Sequence, residues 1–310
     1  MKYTFLIVIL LLVTTTHGQD IISFSNKMLV KVDFNKQSES FLITNAAERS
    51  FIAEANNVYK LKFSANYSFF GLSVNFSPSS ARGSNQSKFR NIQLRLFLKQ
   101  WLQTLEYRKV QGFYQESTNI NMTLAALPHL KTTSWTGSTS YTLNDAFSLR
   151  HLVALNEWQR TSAGSLVPTL NYGFNRLSDY NEAGKYIQNN YDLSISPSYY
   201  YTRTINTNYF VTGGIAPALG VRFSEEKIAN STESFAFLTK ALNFKLQFGY
   251  TSEHISTGAV FNFDSTEANR ATARNFVNDK SYASLYFGYR FDPPAFLKRS
   301  SKWVKEQIDL

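Results

Sequence analysis

The amino-acid sequence predicts an all-β protein, an antiparallel transmembrane β-barrel of about twelve strands, with ten or fourteen as the neighbouring possibilities. Three observations lead to this prediction. Apolar residues alternate with small or polar residues along long segments, the first residues read as an export signal, and the 310 residues include no cysteine. Charged residues make up only 17% of the chain and aromatic residues 15%, which favours a surface that is not wholly aqueous.

The absence of cysteine excludes several classes of protein. A disulfide scaffold, a thiolate zinc site, an iron–sulfur protein and a cysteine hydrolase all need a residue that the chain lacks. A hydrophobic content of 43% is too high for a disordered chain.

Residues 1–18 predict a signal peptide. Lys2 supplies the positive start, residues 5–13 form an apolar run, and residues 16–18 offer a cleavage site after Gly18. The run is too short to span a membrane as a helix. We therefore expect a barrel domain at 19–291 and a separate basic tail at 292–310.

The strands of the barrel follow from a period of two. Between 240 and 250, Leu242, Phe244, Leu246, Phe248 and Tyr250 alternate with polar or small residues. A soluble sandwich would carry charges on its outward face and close-packed aliphatic residues inside. A wide aromatic face opposite Gly, Ala, Ser, Asn and Gln is instead typical of a barrel with lipid outside and a polar lumen.

Counting such segments predicts twelve strands. They are 27–35, 57–67, 69–77, 88–99, 101–115, 146–158, 163–177, 191–206, 207–224, 235–250, 253–265 and 280–291. Tight connections then follow the even strands and long polar ones the odd strands, so we expect short inner turns and long outer loops. Residues 132–143 also alternate, but counting them as a further strand would break this parity, and we assign them to a loop.

Aromatic residues flank the predicted inner turns and suggest a girdle at the membrane interface. They are Phe69, Phe70, Trp101, Trp158, Tyr209 and Tyr250. Pro168 and Pro217 fall inside predicted strands, where each removes a ladder hydrogen bond, so we expect a bulge or the end of a paired region there.

The inward face is predicted to be basic. By alternation it carries Lys60, Lys62, Arg95, Lys99, Arg108, Arg150, Arg222, Lys245 and Arg290, against Glu106 and Asp264. Of these we single out Lys60, Lys62, Arg95, Arg222, Lys245 and Arg290 as lumen-lining residues. A basic constriction favours anions, although lumen charges also form structural ladders.

Short motifs resemble a known family. They are Phe147-Ser148-Leu149-Arg150, Glu157-Trp158-Gln159-Arg160-Thr161-Ser162-Ala163-Gly164-Ser165, Gly112-Phe113-Tyr114 and Gly288-Tyr289-Arg290-Phe291. They are similar to segments of the domain of unknown function 4421 family, which occurs mainly in Bacteroidetes. The resemblance implies an outer-membrane barrel and covers most of the mature chain, but it implies no reaction.

Motifs that carry chemistry are scarce. The sequence has no phosphate-binding glycine loop, metalloprotease helix or calcium loop. His254 and Ser256 stand two apart on a strand, a spacing that resembles outer-membrane lipid hydrolases, but alternation points both into the lumen rather than towards lipid. We therefore predict a protein that is not an enzyme and that needs no cofactor or metal.

The function that these observations favour is a pore or solute-binding barrel with a basic lumen in the outer membrane of a Gram-negative bacterium. The expected partners are outer-membrane lipid, the barrel-assembly machinery and a small anionic solute, and nucleic acid is not among them. An outer-membrane lipid hydrolase and a structural barrel that docks partners are the alternatives.

The tail at 292–310 is predicted to form a short amphipathic helix or a loose segment. Pro293 and Pro294 stop the last strand. Apolar residues beyond them fall on one helical face and basic residues largely elsewhere, namely Phe296, Trp303, Val304 and Ile308 against Lys298, Arg299, Lys302 and Lys305.

Overall fold

A computed structural model describes most of the chain and shows a barrel. The residues it describes are 20–44, 50–54, 59–77, 87–117, 125–181, 184–228, 231–270 and 274–308. The predicted signal peptide at 1–18 therefore lies outside the described residues.

The elements are mostly long strands. In chain order they are β1 (Ile21–Ser23), β2 (Met28–Thr44), β3 (Ser50–Glu54), β4 (Tyr59–Tyr67), β5 (Phe70–Phe76), β6 (Lys88–Leu98), β7 (Trp101–Ser117), β8 (Ala125–Tyr141), α1 (Leu149–Ala154), β9 (Glu157–Gln159), β10 (Ala163–Asn181), β11 (Gly184–Ile205), β12 (Tyr209–Ile228), β13 (Ser231–Thr251), β14 (Ile255–Arg270), β15 (Arg274–Phe291) and α2 (Ala295–Ile308).

Twelve of these strands close into an antiparallel barrel, as predicted. The wall runs β2, β4, β5, β6, β7, β8 and then β10 to β15, and β15 pairs with β2 from Phe276 opposite Ile43 to Phe291 opposite Met28. Strand β3 pairs with both β2 and β7 beyond the short β5–β6 hairpin. We call the end of the barrel with the short turns the inner end and the opposite end the outer end. Towards the outer end β3 alone stands between β2 and β7, where β4, β5 and β6 stand nearer the inner end. The described wall therefore has twelve strands near the inner end and ten towards the outer end.

Two strand assignments were wrong, and their errors cancel in the count. Residues 146–158 were predicted as a strand, but they hold the helix α1 and the short β9. Residues 132–143, assigned to a loop, belong largely to β8, which pairs with β7 and β10. The side chain of Ser148 accepts a hydrogen bond from the amide of His151 and so caps α1. Leu155 ends the helix in the left-handed region at φ 58°.

The connections also differ from the prediction. At the inner end, β4–β5, β6–β7, β11–β12 and β13–β14 are joined by two or three residues, but β8 and β10 are joined by the long segment 142–162. At the outer end, β10–β11, β12–β13 and β14–β15 pair almost to their tips, so much of the predicted loop sequence is strand. A polar sequence continues a β-ladder readily where both faces can meet water.

The outer face of the wall is apolar, and the inner face is small and polar. Ile215, Phe244 and Phe263 lie side by side across β12, β13 and β14, and the side chains of Ile215 and Phe244 are 49% and 41% exposed. On the opposite face, the hydroxyl groups of Thr202 and Thr212 meet at 2.8 Å and are fully buried. A closed barrel with this polarity is a transmembrane β-barrel, because closure pairs every strand edge within the lipid.

The inner rim of the barrel carries exposed aromatic rings. Trp101 and Tyr141 lie 4.7 Å apart between ring centroids, and Tyr209 and Tyr250 lie 5.2 Å apart. Trp158 does not belong to this rim, because it lies on β9 and its indole donates a hydrogen bond to the carbonyl of Thr207. Among the described residues, no helix has the length and apolar character needed to cross a bilayer.

The two prolines predicted to interrupt strands, Pro168 and Pro217, form a lipid-facing row together with Pro197. Pro168 lies opposite Pro197, and Pro217 lies next to Pro197 on the other side. The ladder between β11 and β12 is interrupted there, from 196 to 198 and from 216 to 218. A missing amide donor at each proline accounts for this interruption.

The first testable prediction concerns close packing of the wall. A Cβ atom at Gly214 would lie 2.1 Å from the ring of Tyr200, whereas one at the neighbouring Gly213 would meet nothing within 4 Å. We expect Gly214→Ala to lower the free energy of unfolding by about 1–3 kcal/mol, because the ring of Tyr200 must move. The matched control Gly213→Ala should be neutral or raise it by about 0.4–1 kcal/mol. Urea unfolding of both variants in lipid vesicles measures the difference, and equal values would contradict this packing.

Candidate functional site

A basic chamber occupies the lumen of the barrel. Its volume is about 440 Å³, and its walls come from β2, β4–β7 and β13–β15, with α1 as its floor. Six basic and three acidic side chains line it, namely Lys31, Lys62, Arg95, Arg108, Lys245 and Lys280 against Asp33, Glu106 and Asp264. The chamber therefore carries a net formal charge of +3, and it is large enough for a small solute.

The six predicted lumen residues divide into three groups. Lys62, Arg95 and Lys245 line the basic chamber. Lys60 donates a hydrogen bond of 2.7 Å to Gln37 and lies over the ring of Phe89.

The other two predicted residues lie away from the chamber. Arg222 forms an ion pair with Asp192 on the neighbouring strand. Arg290 is almost fully buried at the inner end of the barrel. The structure thus brings three of the six together.

Two of the three carboxylates of the chamber accept hydrogen bonds from the side-chain amides of Asn and Gln. Glu106 accepts hydrogen bonds from Asn91 at 2.7 Å and from Gln93 at 3.2 Å. Asp264 accepts hydrogen bonds from Asn243 and Asn262. These carboxylates are held by neutral donors, so they do not use up the chamber cations through direct contacts.

Two of the chamber cations, Arg95 and Lys245, contact only neutral partners among the described residues. Lys31 pairs with Asp33 at 3.0 Å, and Arg95 donates a hydrogen bond to the neutral Gln93. Lys245 reaches the carbonyl oxygen of Leu152 only at 3.5 Å. Half-buried cations with neutral or distant partners can still bind an anion, because they retain free hydrogen-bond donors.

A second cavity, the hydroxyl chamber, adjoins the first. Its volume is about 520 Å³, and it shares Gln93, Arg95, Lys245, Asp264 and Thr266 with the basic chamber. The rest of its polar lining is uncharged, namely Thr104, Ser138, Ser140, Thr169, Asn171, Ser194, Ser196, Ser198, Tyr200, Asn243 and Ser265. Hydroxyl and amide groups both donate and accept hydrogen bonds, so this lining suits a neutral polar group.

An inner plug lies in the lumen below both chambers. We define it as residues 142–162, which include α1 and β9, together with β1. Strand β1 pairs with β9 from Ile21 opposite Gln159 to Ser23 opposite Glu157. The pairing joins the start of the described chain to the long inner connection.

The plug contacts the wall on several sides. Ala154 belongs to a buried cluster with Phe97 and Leu102, and Leu152 to one with Phe147 and Val167. On the opposite side Leu155 packs among Leu29, Phe210 and Tyr286. Helix α1 therefore packs against β6, β7 and β10, and Leu155, which ends it, packs against β2, β12 and β15.

Two arginines hold the plug to the wall. Arg290 on β15 donates hydrogen bonds to the carbonyl oxygens of Leu155 and Ser252, and to the hydroxyl groups of Thr251 and Ser256 at 3.1 and 2.9 Å. Its guanidinium also lies 4.3 Å from the ring centroid of Phe24.

The second arginine, Arg150, lies on the plug and donates to the wall. Arg150 on α1 donates to the wall carbonyls of Phe97 at 3.0 Å and Ser68 at 3.5 Å, and it pairs with Glu157 at 3.7 Å. Arg150 and Arg290 were both predicted to lie on the inward face. In the structure their guanidinium groups form hydrogen bonds between the plug and the wall.

Comparison with known proteins places the chain in a family. The model of the family described as Domain of unknown function (DUF4421) matches residues 21–291. The chain belongs to the DUF4421 family. The match covers the plug and all twelve strands of the barrel.

Solved structures that resemble this DUF4421 member include outer-membrane barrels. The outer membrane protease OmpT from Escherichia coli has a TM-score of 0.40 at 7% identity, over 90% of this chain and all of that one. The toluene transporter TodX from P. putida has a TM-score of 0.33 at 8% identity, over 87% and 91%. LpxR from Salmonella typhimurium has a TM-score of 0.33 at 7% identity, over 80% and 99%. At these scores the likeness carries no argument about function, and a search of curated protein sequences gives no match.

Sequence reasoning missed several residues of the site in this DUF4421 barrel. Lys31 and Asp33 could have been found, because they alternate with Val30 and Val32 on a predicted strand. Lys280 stood at the predicted start of the last strand, which in the structure begins at 274. The plug left no clear signal, because a buried helix of six residues is too short to separate a period of 3.6 from one of two.

The structure places the two residues of the histidine–serine pair, His254 and Ser256, in different surroundings. The hydroxyl group of Ser256 is fully buried and contacts Thr251 at 2.7 Å and Arg290. His254 lies exposed in the β13–β14 turn, with its ring 6.5 Å from that of Tyr289. Within the described part of the chain, no three His, Cys, Asp or Glu residues are grouped so as to hold a metal ion.

A second testable prediction concerns His151, which is fully buried in the plug. The pKa of His151 falls from 6.5 to about 4, mainly because burial lowers it; the Nδ1 contact with the carbonyl of Glu157 raises the pKa in part, and nearby Arg290 lowers it further. The released plug binds a proton below pH 6.5 and the docked plug does not, so docking weakens as the pH falls from about 6.5 to 4. The loss is at most about 3 kcal/mol.

Hydrogen–deuterium exchange of residues 148–156 measures this effect. We expect protection to fall between pH 7 and pH 5 in the wild type and to change much less in His151→Phe. The control His254→Gln, which removes an exposed histidine, should behave as the wild type. The same pH dependence in His151→Phe would contradict the assignment.

Proposed function

We propose that this protein is a solute-binding barrel of a Gram-negative outer membrane, and that its solute is small and anionic. The single observation that supports the proposal best is the basic chamber, where Lys62, Arg95 and Lys245 meet around a cavity of about 440 Å³. Glu106 and Asp264 accept hydrogen bonds from Asn and Gln side chains, so Arg95 and Lys245 have no carboxylate partner among the described contacts and are available to a ligand.

The chemistry of the solute follows from both chambers. A carboxylate or phosphate group would accept charge-assisted hydrogen bonds from Arg95 and Lys245 in the basic chamber. The remainder of the molecule would extend into the hydroxyl chamber, among groups such as Ser138, Ser198 and Tyr200. Hydroxyl groups on the solute match this lining, so an acidic sugar is a suitable class of ligand.

The inner plug favours a binding barrel over an open pore. Leu152 and Val153 of α1 form part of both chamber linings, and the helix is packed against the wall around the lumen. A solute would therefore reach a floor rather than a passage. Among the described residues, no comparable group of side chains supports a lipid hydrolase or a docking scaffold.

A third testable prediction measures ligand binding to the refolded full-length protein. Glucuronate, which is acidic and hydroxylated, should bind in calorimetric titration, and glucose should bind at least about tenfold more weakly because it offers no charge. Arg95→Gln and Lys245→Gln should each reduce glucuronate affinity by about 10-fold to 100-fold.

The control for this experiment lies on the same strand. Lys240 is on β13, like Lys245, but it is exposed and stands at an odd number of residues from it, on the outer face. Lys240→Gln should therefore leave the affinity unchanged. Equal binding of glucose and glucuronate, or equal loss in all three variants, would overturn the anion site.

A fourth prediction separates binding from conduction. In planar bilayers the wild type should show no steady conductance, because the plug packs inside the inner lumen. A variant with residues 148–156 replaced by a glycine–serine linker should conduct and prefer chloride to potassium. Adding Arg95→Glu and Lys245→Glu should move its reversal potential towards cations, and Lys240→Glu should not. Steady current through the wild type would contradict the closed floor.

A further inference from the structure

The C-terminal helix α2 is amphipathic and largely without partners. The side chains of Phe296 and Trp303 stand seven residues apart, which places them on one face, and they are 65% and 64% exposed. Leu297 and Val304 adjoin them on the same side of the helix. Two large exposed aromatic rings on one helical face are costly in water and indicate a covering surface.

The opposite face of α2 is basic. Lys298, Arg299 and Lys302 are all exposed, and the only ion pair described there joins Lys302 to Glu306 at 3.9 Å. An apolar face that carries a tryptophan, set against a lysine- and arginine-rich face, is the pattern of a helix that lies in a membrane interface.

The position of α2 identifies the surface that it can reach. Strand β15 ends at Phe291, whose ring stacks on the lipid-facing Tyr289 at 6.3 Å. Only residues 292–294 separate this strand from the helix, a reach of about 10 Å. Asp292 is tied to Lys27 by an ion pair of 2.9 Å. The helix therefore starts next to the aromatic inner rim, where the lipid headgroups lie.

We propose that α2 lies on the phospholipid surface at the inner end of the barrel, with Phe296 and Trp303 inserted among the acyl chains and the basic residues on anionic headgroups. Along the chain, the lipid-facing residues of β15 are followed, after residues 292–294, by the apolar face of α2. The positive charge of the helix complements anionic phospholipid. This proposal is independent of the solute proposed for the lumen.

The test uses the full-length protein, which has no cysteine of its own. Ser300→Cys places a probe on the apolar face, four residues after Phe296, and Lys302→Cys places one on the basic face. Each variant carries a polarity-sensitive fluorophore and is refolded into vesicles of phosphatidylcholine, with or without phosphatidylglycerol. Strand content by circular dichroism shows that the barrel is intact.

The proposal predicts an asymmetric result. In vesicles with phosphatidylglycerol, aqueous iodide should quench the probe at 300 at least about threefold less than the probe at 302. Brominated lipid should quench the probe at 300 more strongly. Added salt should reduce the protection of the probe at 300 from iodide. When Ser300→Cys is combined with Lys298→Gln and Arg299→Gln, this protection should fall to the level seen in vesicles of pure phosphatidylcholine.

Three outcomes would overturn the proposal. Equal iodide quenching at 300 and 302 would mean that the helix is not at the interface. A probe at 300 that is protected from iodide in detergent micelles, and that brominated lipid does not quench in vesicles, would mean that α2 packs on the barrel instead. Equal protection in vesicles with and without phosphatidylglycerol would remove the role of anionic lipid.

Discussion

The constraint on which the structure depends is that every backbone group of the wall must be paired within the lipid. The ladder between β15 and β2 meets this constraint, because it joins the last strand to the first over sixteen residue pairs. Once the sheet is closed, each strand has one face towards lipid and one towards the lumen. The apolar band, the polar interior and the chambers are all consequences of that closure.

Closure leaves a space that the protein fills unevenly. At the inner end the plug packs inside it, and hydrogen bonds from Arg150 and Arg290 hold the plug to the wall. Further out, small side chains leave two adjoining chambers. A guanidinium group buried against backbone carbonyls is costly to leave unpaired, so these contacts favour a single position for the plug. The floor of the chambers is thus an ordered surface.

The candidate site shows how far alternation can be used. It predicted which residues of β4, β6 and β13 point inward, and Lys62, Arg95 and Lys245 meet in the chamber. It could not predict what each cation contacts, because partners come from strands distant in sequence. Arg222 faces Asp192 across a ladder, and Arg290 meets a plug residue 135 positions away. Likewise, the alternation within 146–158 looked like a strand because a helix of six residues is too short to show its period.

The sequence by itself determined that the chain forms long strands with one apolar face, that these number about twelve, and that they enclose a polar, basic interior. These properties are local, since a period of two and the choice of side chains at each position are written along the chain. Only the tertiary structure decided which segment between β7 and β10 is wall and which is plug, and which cations remain available to a ligand. Those outcomes depend on pairing between distant strands and on the space left inside the closed barrel, and neither quantity is a property of any single segment.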